Sequence, residues 1–213
     1  MEKYVLDANL FFNMEAGLDM GEKTEEVVKK LTDMAKRLKA TKKAEFYMPP
    51  RVVDEFLSFF ENKEQPFLKD FLSTITVKSP DVGKMDLPGQ VFYELVEDIR
   101  QRSYRGLNIG EEEIEKAGKT MLGKDNLSTK DFQIQIGSVI KKFRERYRQA
   151  TRFGFLDSLA DLDLIVLTKE IDGVLVSSDE GVIRWGRLFG VKETPVGVWK
   201  KQLEDLLVSS QHA

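Results

Sequence analysis

Three short apolar runs, Tyr4-Val5-Leu6, Phe46-Tyr47-Met48 and Val174-Leu175-Val176, are separated by long stretches of helical periodicity, and this alternation constrains the fold more than any other feature. Each run is too short for a helix and is bounded by turn residues, so each reads as a strand buried on both faces. Pro49-Pro50 stops the second; Asp172-Gly173 precedes the third and Ser177-Ser178-Asp179 ends it. Ile75-Thr76-Val77 is a further strand candidate. Between Glu22 and Lys39, Val27, Leu31, Met34, Ala35 and Leu38 recur at three- and four-residue steps, which predicts an amphipathic helix. Further helices are expected from about Arg51, with Asp54 and Glu55 in the first turn, and from Phe155 to Thr168, opening on Asp157. Strands that alternate with helices pair in parallel, so the fold class is α/β with functional groups gathered at the carboxyl ends of the strands.

The middle of the chain breaks this rhythm. Pro88 to Arg105 carries one helical stripe (Val91, Leu95, Ile99), Gly106 to Gly110 reads as a break, and Glu111 to Leu122 reads as a second helix. With no strand signal between Val82 and Leu127, residues 81–127 are expected to be an α-helical insertion. Residues 1–80 and 128–207 then form the α/β domain, with 208–213 a flexible tail. A long helix after Ser128 has Phe132, Ile136, Val139, Ile140, Phe143, Tyr147 and Ala150 on one face, expected to hold it on the core. Lys141, Arg144, Arg148 and Arg152 fall on the other.

Composition narrows the chemistry. The 213 residues include no cysteine and one histidine, His212, next to the C-terminus, so thiolate nucleophiles, cysteine-based metal sites and a well-held imidazole base are not expected. The first residues lack the pattern of a signal peptide and no run spans a membrane, which points to a cytoplasmic protein. The acids that remain form a pattern. Asp7 and Asp179 end two apolar strands, Asp157 and Asp161 stand four apart at a helix start, and Glu55 is a fifth candidate. Each has an ordinary alternative: Asp157 an N-cap, Asp7 and Asp179 turn starters, Glu55 a complement to the helix dipole. Gathered at one crevice, they would repel one another unless a cation neutralised them. An oxygen-only donor set suits Mg²⁺ or Mn²⁺, and such an ion supports phosphodiester hydrolysis. Asp163, about 200° round the helix from Asp161, reads as a solvated or sheet-edge acid. Between Lys141 and Arg152, six basic residues face Glu145 alone, a one-sided excess that suits RNA phosphates.

In this order and spacing, Tyr4-Val5-Leu6-Asp7-Ala8-Asn9, Glu55 after Met48-Pro49-Pro50, Asp157 with Asp161, and Ser177-Ser178-Asp179-Glu180-Gly181 resemble the acidic signature of PIN-domain nucleases. Over residues 1 to 207 the chain further resembles the HARP family of minimal protein-only ribonuclease P, once labelled RNA ligase partner proteins. The resemblance implies a PIN-like domain with a protruding two-helix insertion and Mg²⁺- or Mn²⁺-dependent removal of the 5′ leader from precursor tRNA. It also implies assembly through the insertion into a large homo-oligomer such as a ring or star of dimers. It assigns catalysis and metal binding to Asp7, Asp157, Asp161 and Asp179, with Glu55 matching the general PIN pattern, and tRNA binding to Arg144 and Arg148; the flanking Lys141 and Arg152 join them on the basic face. Two alternatives stay open: a PIN ribonuclease of RNA repair or toxin type, and a non-catalytic RNA-binding scaffold whose acids are caps. A haloacid-type phosphatase would need an acid where Asn9 stands.

Overall fold

The computed structural model describes residues 1–12, 18, 20–124, 126–152, 154, 156 and 158–209. It divides into two compact units, Met1–Pro88 with Leu156–Ala213, and Gly89–Phe155.

The first unit is built on a five-stranded, all-parallel sheet of order β3-β2-β1-β4-β5, with β1 Glu2–Leu6, β2 Ala44–Met48, β3 Ile75–Val77, β4 Val174–Val176 and β5 Lys192–Glu193. The expected α/β class and all four expected strands are therefore present; β5 is an edge strand of two polar residues with no apolar signal to announce it. Helices α1 (Thr24–Ala40), α2 (Pro50–Ser58) and α3 (Pro66–Thr74) follow the first strands in turn. Pro50 and Pro66 each stand in the first turn of their helix, where a missing N–H costs nothing. The helix expected from Phe155 begins instead at Leu159, because Ser158 is its N-cap, the Ser158 hydroxyl accepting from the Asp161 N–H at 3.0 Å. Sheet and helices enclose two aromatic clusters, Phe11, Phe56 and Phe71 with ring centroids 4.9–5.3 Å apart, and Tyr4, Phe46 and Trp199 at 5.9–6.3 Å. At about 1.5–3 kcal/mol for each large side chain withdrawn from water, such clusters are what hold the strand ends in place.

In the second unit the break expected at Gly106–Gly110 does not occur. One continuous helix runs Gly89–Met121 (α4) and packs against a second, Thr129–Arg152 (α5). Gly106 is where the two backbones approach: a Cβ added there would lie 2.7 Å from Tyr147 Cε2. The glycine's helix penalty of about 1 kcal/mol is offset by this packing. Polar ties complete the hairpin. Arg102 pairs with Asp98 and donates to the Thr151 carbonyl, while buried Glu113 accepts from Arg146 at 2.6 Å and Lys116 at 2.8 Å. Membership of α5 in this unit sets the boundaries near 88 and 155, rather than at 80 and 127. The apolar face of α5 meets α4 within this unit, with Tyr147 beside Gly106 and Phe143 beside Gly110. No α5 residue is fully buried; that face lies along α4.

Helices α6 (Leu159–Glu170), α7 (Glu180–Leu188) and α8 (Val196–Val208) complete the first unit. Val208 of the expected flexible tail thus belongs to α8, and residues 210–213, His212 among them, lie outside the described residues. No helix of the described residues is long and apolar enough to cross a membrane.

Candidate active site

Parallel pairing of β1 with β4 aligns Leu6 with Val176, so the next residues, Asp7 and Ser177, leave the sheet side by side. Their side chains meet. The Ser177 hydroxyl donates to Asp7 Oδ2 at 2.5 Å, and the Asn9 N–H donates to Asp7 Oδ1 at 3.1 Å. Ser177 Oγ in turn accepts from the Asp179 N–H at 3.0 Å, tying the two strand-end acids through one hydroxyl. Asp179 caps α7, its Oδ1 accepting from the N–H groups of Gly181 and Val182. Its other oxygen makes no hydrogen bond among the described residues. Capping uses part of a carboxylate's acceptor capacity and leaves the rest, so the cap roles of Asp7 and Asp179 leave oxygens able to accept further ligands.

Two more acids come within electrostatic reach from helices. Glu55 rises from α2 and Asp161 from the first turn of α6, and those helices pack together. Electrostatics registers the convergence. Asp7 is 2% exposed; burial pushes its carboxyl up to about 6 against the two hydrogen bonds, and the charges of Glu55 and Asp179 push the same way. Glu55 is also raised, first by burial and then by Asp161. Of the five acids expected at the site, four thus bear on one another in a chain Asp179–Asp7–Glu55–Asp161. Asp157 lies outside the described residues.

The donor set fits a hard divalent ion: carboxylate oxygens only, mutually repelling, with one acid deeply buried. Among the described residues no three acids stand close enough to grasp an ion by themselves. Mg²⁺ does not require that, since it keeps several waters and is usually held through one or two carboxylates.

Three residues near these acids were not expected. Ser177 carries a signal in hindsight: once two strands end in register, the residue beside Asp7 is fixed. Asp163 is the second, buried rather than solvated, with Arg51 Nη1 2.6 Å from its Oδ2. Its helix is apolar nearly all round (Leu159, Leu162, Leu164, Ile165, Val166, Leu167), the mark of a helix enclosed on most sides, where an acid must find a partner. Arg51, that partner, is the third. In the second unit, Lys141, Arg144 and Arg148 line a concavity with Gly137, Ile140 and Glu145. Arg152 is exposed nearby in sequence, whereas Arg146 is spent on Glu112 and Glu113.

The arrangement makes Ser177 a testable support. Ser177→Ala removes the bond that favours ionised Asp7 and should raise the Mg²⁺ concentration needed to half-saturate the acids by about 10- to 100-fold, the usual effect of losing a residue that orients a metal ligand. A Mg²⁺ titration with an unchanged midpoint would show that the hydroxyl matters only to packing.

Comparison with known proteins shows the family. Residues 3–208 match the family of PINc domain ribonucleases. Relatives named RNA-free ribonuclease P match nearly end to end. The Thermococcus kodakarensis protein is 34% identical over 96% of this chain and 96% of its own length. The Pyrococcus horikoshii protein is 35% identical over 97% and 94%. The Alkalilimnicola ehrlichii protein is 34% identical over 97% and 98%. With a family match across both sheet and hairpin and identities above 30% over whole chains, the chain belongs to the PINc domain ribonucleases and, among them, to the RNA-free ribonuclease P proteins.

Proposed function

We propose that this ribonuclease removes the 5′ leader of precursor tRNA in one hydrolytic cut, with Mg²⁺ or Mn²⁺, leaving a 5′-phosphate on the mature end. The observation that carries this reading is the set of coupled acids at the carboxyl ends of the parallel strands, in a chain similar throughout to proteins named RNA-free ribonuclease P. PIN nucleases generally use divalent metal ions. Asp7, Asp161, Asp179 and Asp157 would hold the ion, with Glu55 beside them. A bound ion supplies neutralisation of the scissile phosphate and acidification of a nucleophilic water. The chain's own contribution is orientation. Ser177 and the Asn9 N–H fix both oxygens of Asp7, and the α7 cap fixes Asp179 with one oxygen to spare. Incubation with Mg²⁺ should cleave a 5′-extended precursor tRNA and spare mature tRNA; equal cutting of both, or of neither, would refute the reading.

Arg144 and Arg148, with Lys141 and Arg152, would hold phosphates of the tRNA body. They fall within about 80° of the α5 circumference, away from the face on α4. Arg144→Ala or Arg148→Ala should each reduce the slope of log affinity against log salt by about 0.7 to 1, one phosphate contact's worth, with a much smaller loss in saturated single-turnover rate than an aspartate mutation causes. An unchanged slope with a collapsed rate would reassign them to the chemistry.

Self-association through α4 belongs to the same reading. Phe92, Tyr93, Val96, Ile99, Tyr104, Leu107 and Ile114 are each 50% exposed or more. All fall within about 140° of one side of the helix. An exposed apolar stripe of this length, interrupted by Arg100 and Glu111, calls for a partner surface, and a second copy with closed symmetry is the usual one. Light scattering on a Leu107→Glu, Ile114→Glu variant should give a smaller, folded species; an unchanged mass would place the interface elsewhere.

A further inference from the structure

Helix α2 sets three chemically different groups in a row. Arg51, Glu55 and Phe59 stand at four-residue steps, about 6 Å apart along the axis and within about 80° of its circumference. Glu55 is the middle member and belongs to the acid site. The two ends are exposed: the Arg51 side chain to 56% and Phe59 to 54%.

Both ends are held in place from one side and open on the other. Arg51 is anchored by Nη1 on buried Asp163 at 2.6 Å, and its remaining guanidinium nitrogens have no partner among the described residues. A guanidinium positioned in this way keeps a fork free for phosphate oxygens. Phe59, the C-cap of α2, stacks on Phe12 with centroids 3.9 Å apart and planes 23° apart. Phe12 ends the 3-10 turn that begins just after Asp7. One ring face is thus covered and its tilt fixed, while half of the side chain remains in water, the condition for an aromatic platform that takes a nucleobase.

We infer that the Arg51–Glu55–Phe59 ridge is a track for the single-stranded leader of the RNA, Arg51 taking a backbone phosphate next to the one being cut and the Phe12–Phe59 stack taking an unpaired base. The inference rests on the function proposed above and adds to it a subsite on the leaving side of the cut. The leader is the occupant because its bases are unpaired and free to lie flat on a ring; bases within the acceptor stem are already stacked and paired, and proteins reach for splayed bases in single strands. Stacking is tolerant of base identity, so the track would hold leaders of varied sequence.

The test measures affinity in EDTA, where nothing is cut, for tRNAs with leaders of zero to five nucleotides. Wild type should gain roughly 5- to 150-fold on adding the nucleotide that reaches Phe59, and an abasic residue at that position should erase the gain. Phe59→Leu, which keeps an apolar side chain but no ring, should lose the gain and become indifferent to the abasic residue; Phe59→Trp should keep both. The paired change Arg51→Gln with Asp163→Asn, which leaves no buried charge unmatched, should lower the salt slope by about 0.7 for leader-bearing RNA and not for mature tRNA. Affinity independent of leader length, or an abasic effect that persists in Phe59→Leu, would overturn the track. So would a gain that follows unpaired nucleotides at the 3′ end. Failure of wild type to cut any precursor in Mg²⁺ would remove the parent reading and the track together, whereas normal cutting with leader-independent affinity removes the track alone.

Discussion

Asp7→Asn is expected to lower the single-turnover cleavage rate by roughly a thousandfold or more at saturating enzyme and Mg²⁺, with the fold retained. Losing several kcal/mol of charge stabilisation in the transition state corresponds to that factor. Retention of the fold follows from the local geometry, because an asparagine oxygen can still accept from Ser177 or from the Asn9 N–H. Asp179→Asn should behave alike: the amide oxygen can keep the α7 cap on Gly181 and Val182 while the charge is lost. The measurement pairs the rate with circular dichroism on the same sample. Either variant cutting at the wild-type rate would take that residue out of the site.

The second large effect is a pH dependence of stability in the metal-free protein, set by Asp7. Its carboxyl stands at about 6 folded against 3.8 for the unperturbed group, so between those values the folded state holds a proton that the unfolded chain has released. The protonated form is the one that burial favours. Asp7's contribution is fully present below about pH 4 and is lost as pH rises through about 6, a total of about 3 kcal/mol for a group this deeply buried. Glu55, raised in the same direction, adds to the trend. In EDTA, chemical denaturation should therefore show a larger difference between Asp7→Asn and wild type at pH 7.5 than at pH 4.5, with the variant the more stable at the higher pH. A bound cation relieves the same repulsion, so Mg²⁺ should raise the melting temperature more at pH 7.5 than at pH 5. Parallel pH curves for the variant and wild type in EDTA would contradict the placement of an ionised Asp7 in this cluster.

Much of this arrangement was legible in the sequence because parallel strands announce themselves as apolar runs and direct whatever follows them to one edge. Asp7 and Asp179 could be placed that way, and Glu55 from the helix start after Pro49-Pro50. What the runs could not reveal depends on contacts between distant segments. Ser177 acquires its role only through the register of β1 with β4, and Asp163 only because α2 lays Arg51 over it. The misread break at Gly106–Gly110 has the same origin: local propensity argues against helix, while the close approach of Tyr147, forty-one positions away, rewards a missing side chain. Likewise all six basic residues between Lys141 and Arg152 count toward the one-sided excess, yet Arg146 is neutralised by Glu112 and Glu113 of the neighbouring helix.

The central claim, that acids at the strand ends form a divalent-ion site that cuts precursor tRNA once, is tested most directly by mapping the cleavage product to the nucleotide. Purified protein is incubated with a 5′-extended precursor in Mg²⁺ and in EDTA, and both new ends are identified. The account predicts a single cut at the mature 5′ terminus that leaves a 5′-phosphate on the tRNA and a 3′-hydroxyl on the leader, abolished by EDTA and by Asp7→Asn. A cut that persists in EDTA, or a cyclic phosphate on the leader, would contradict it.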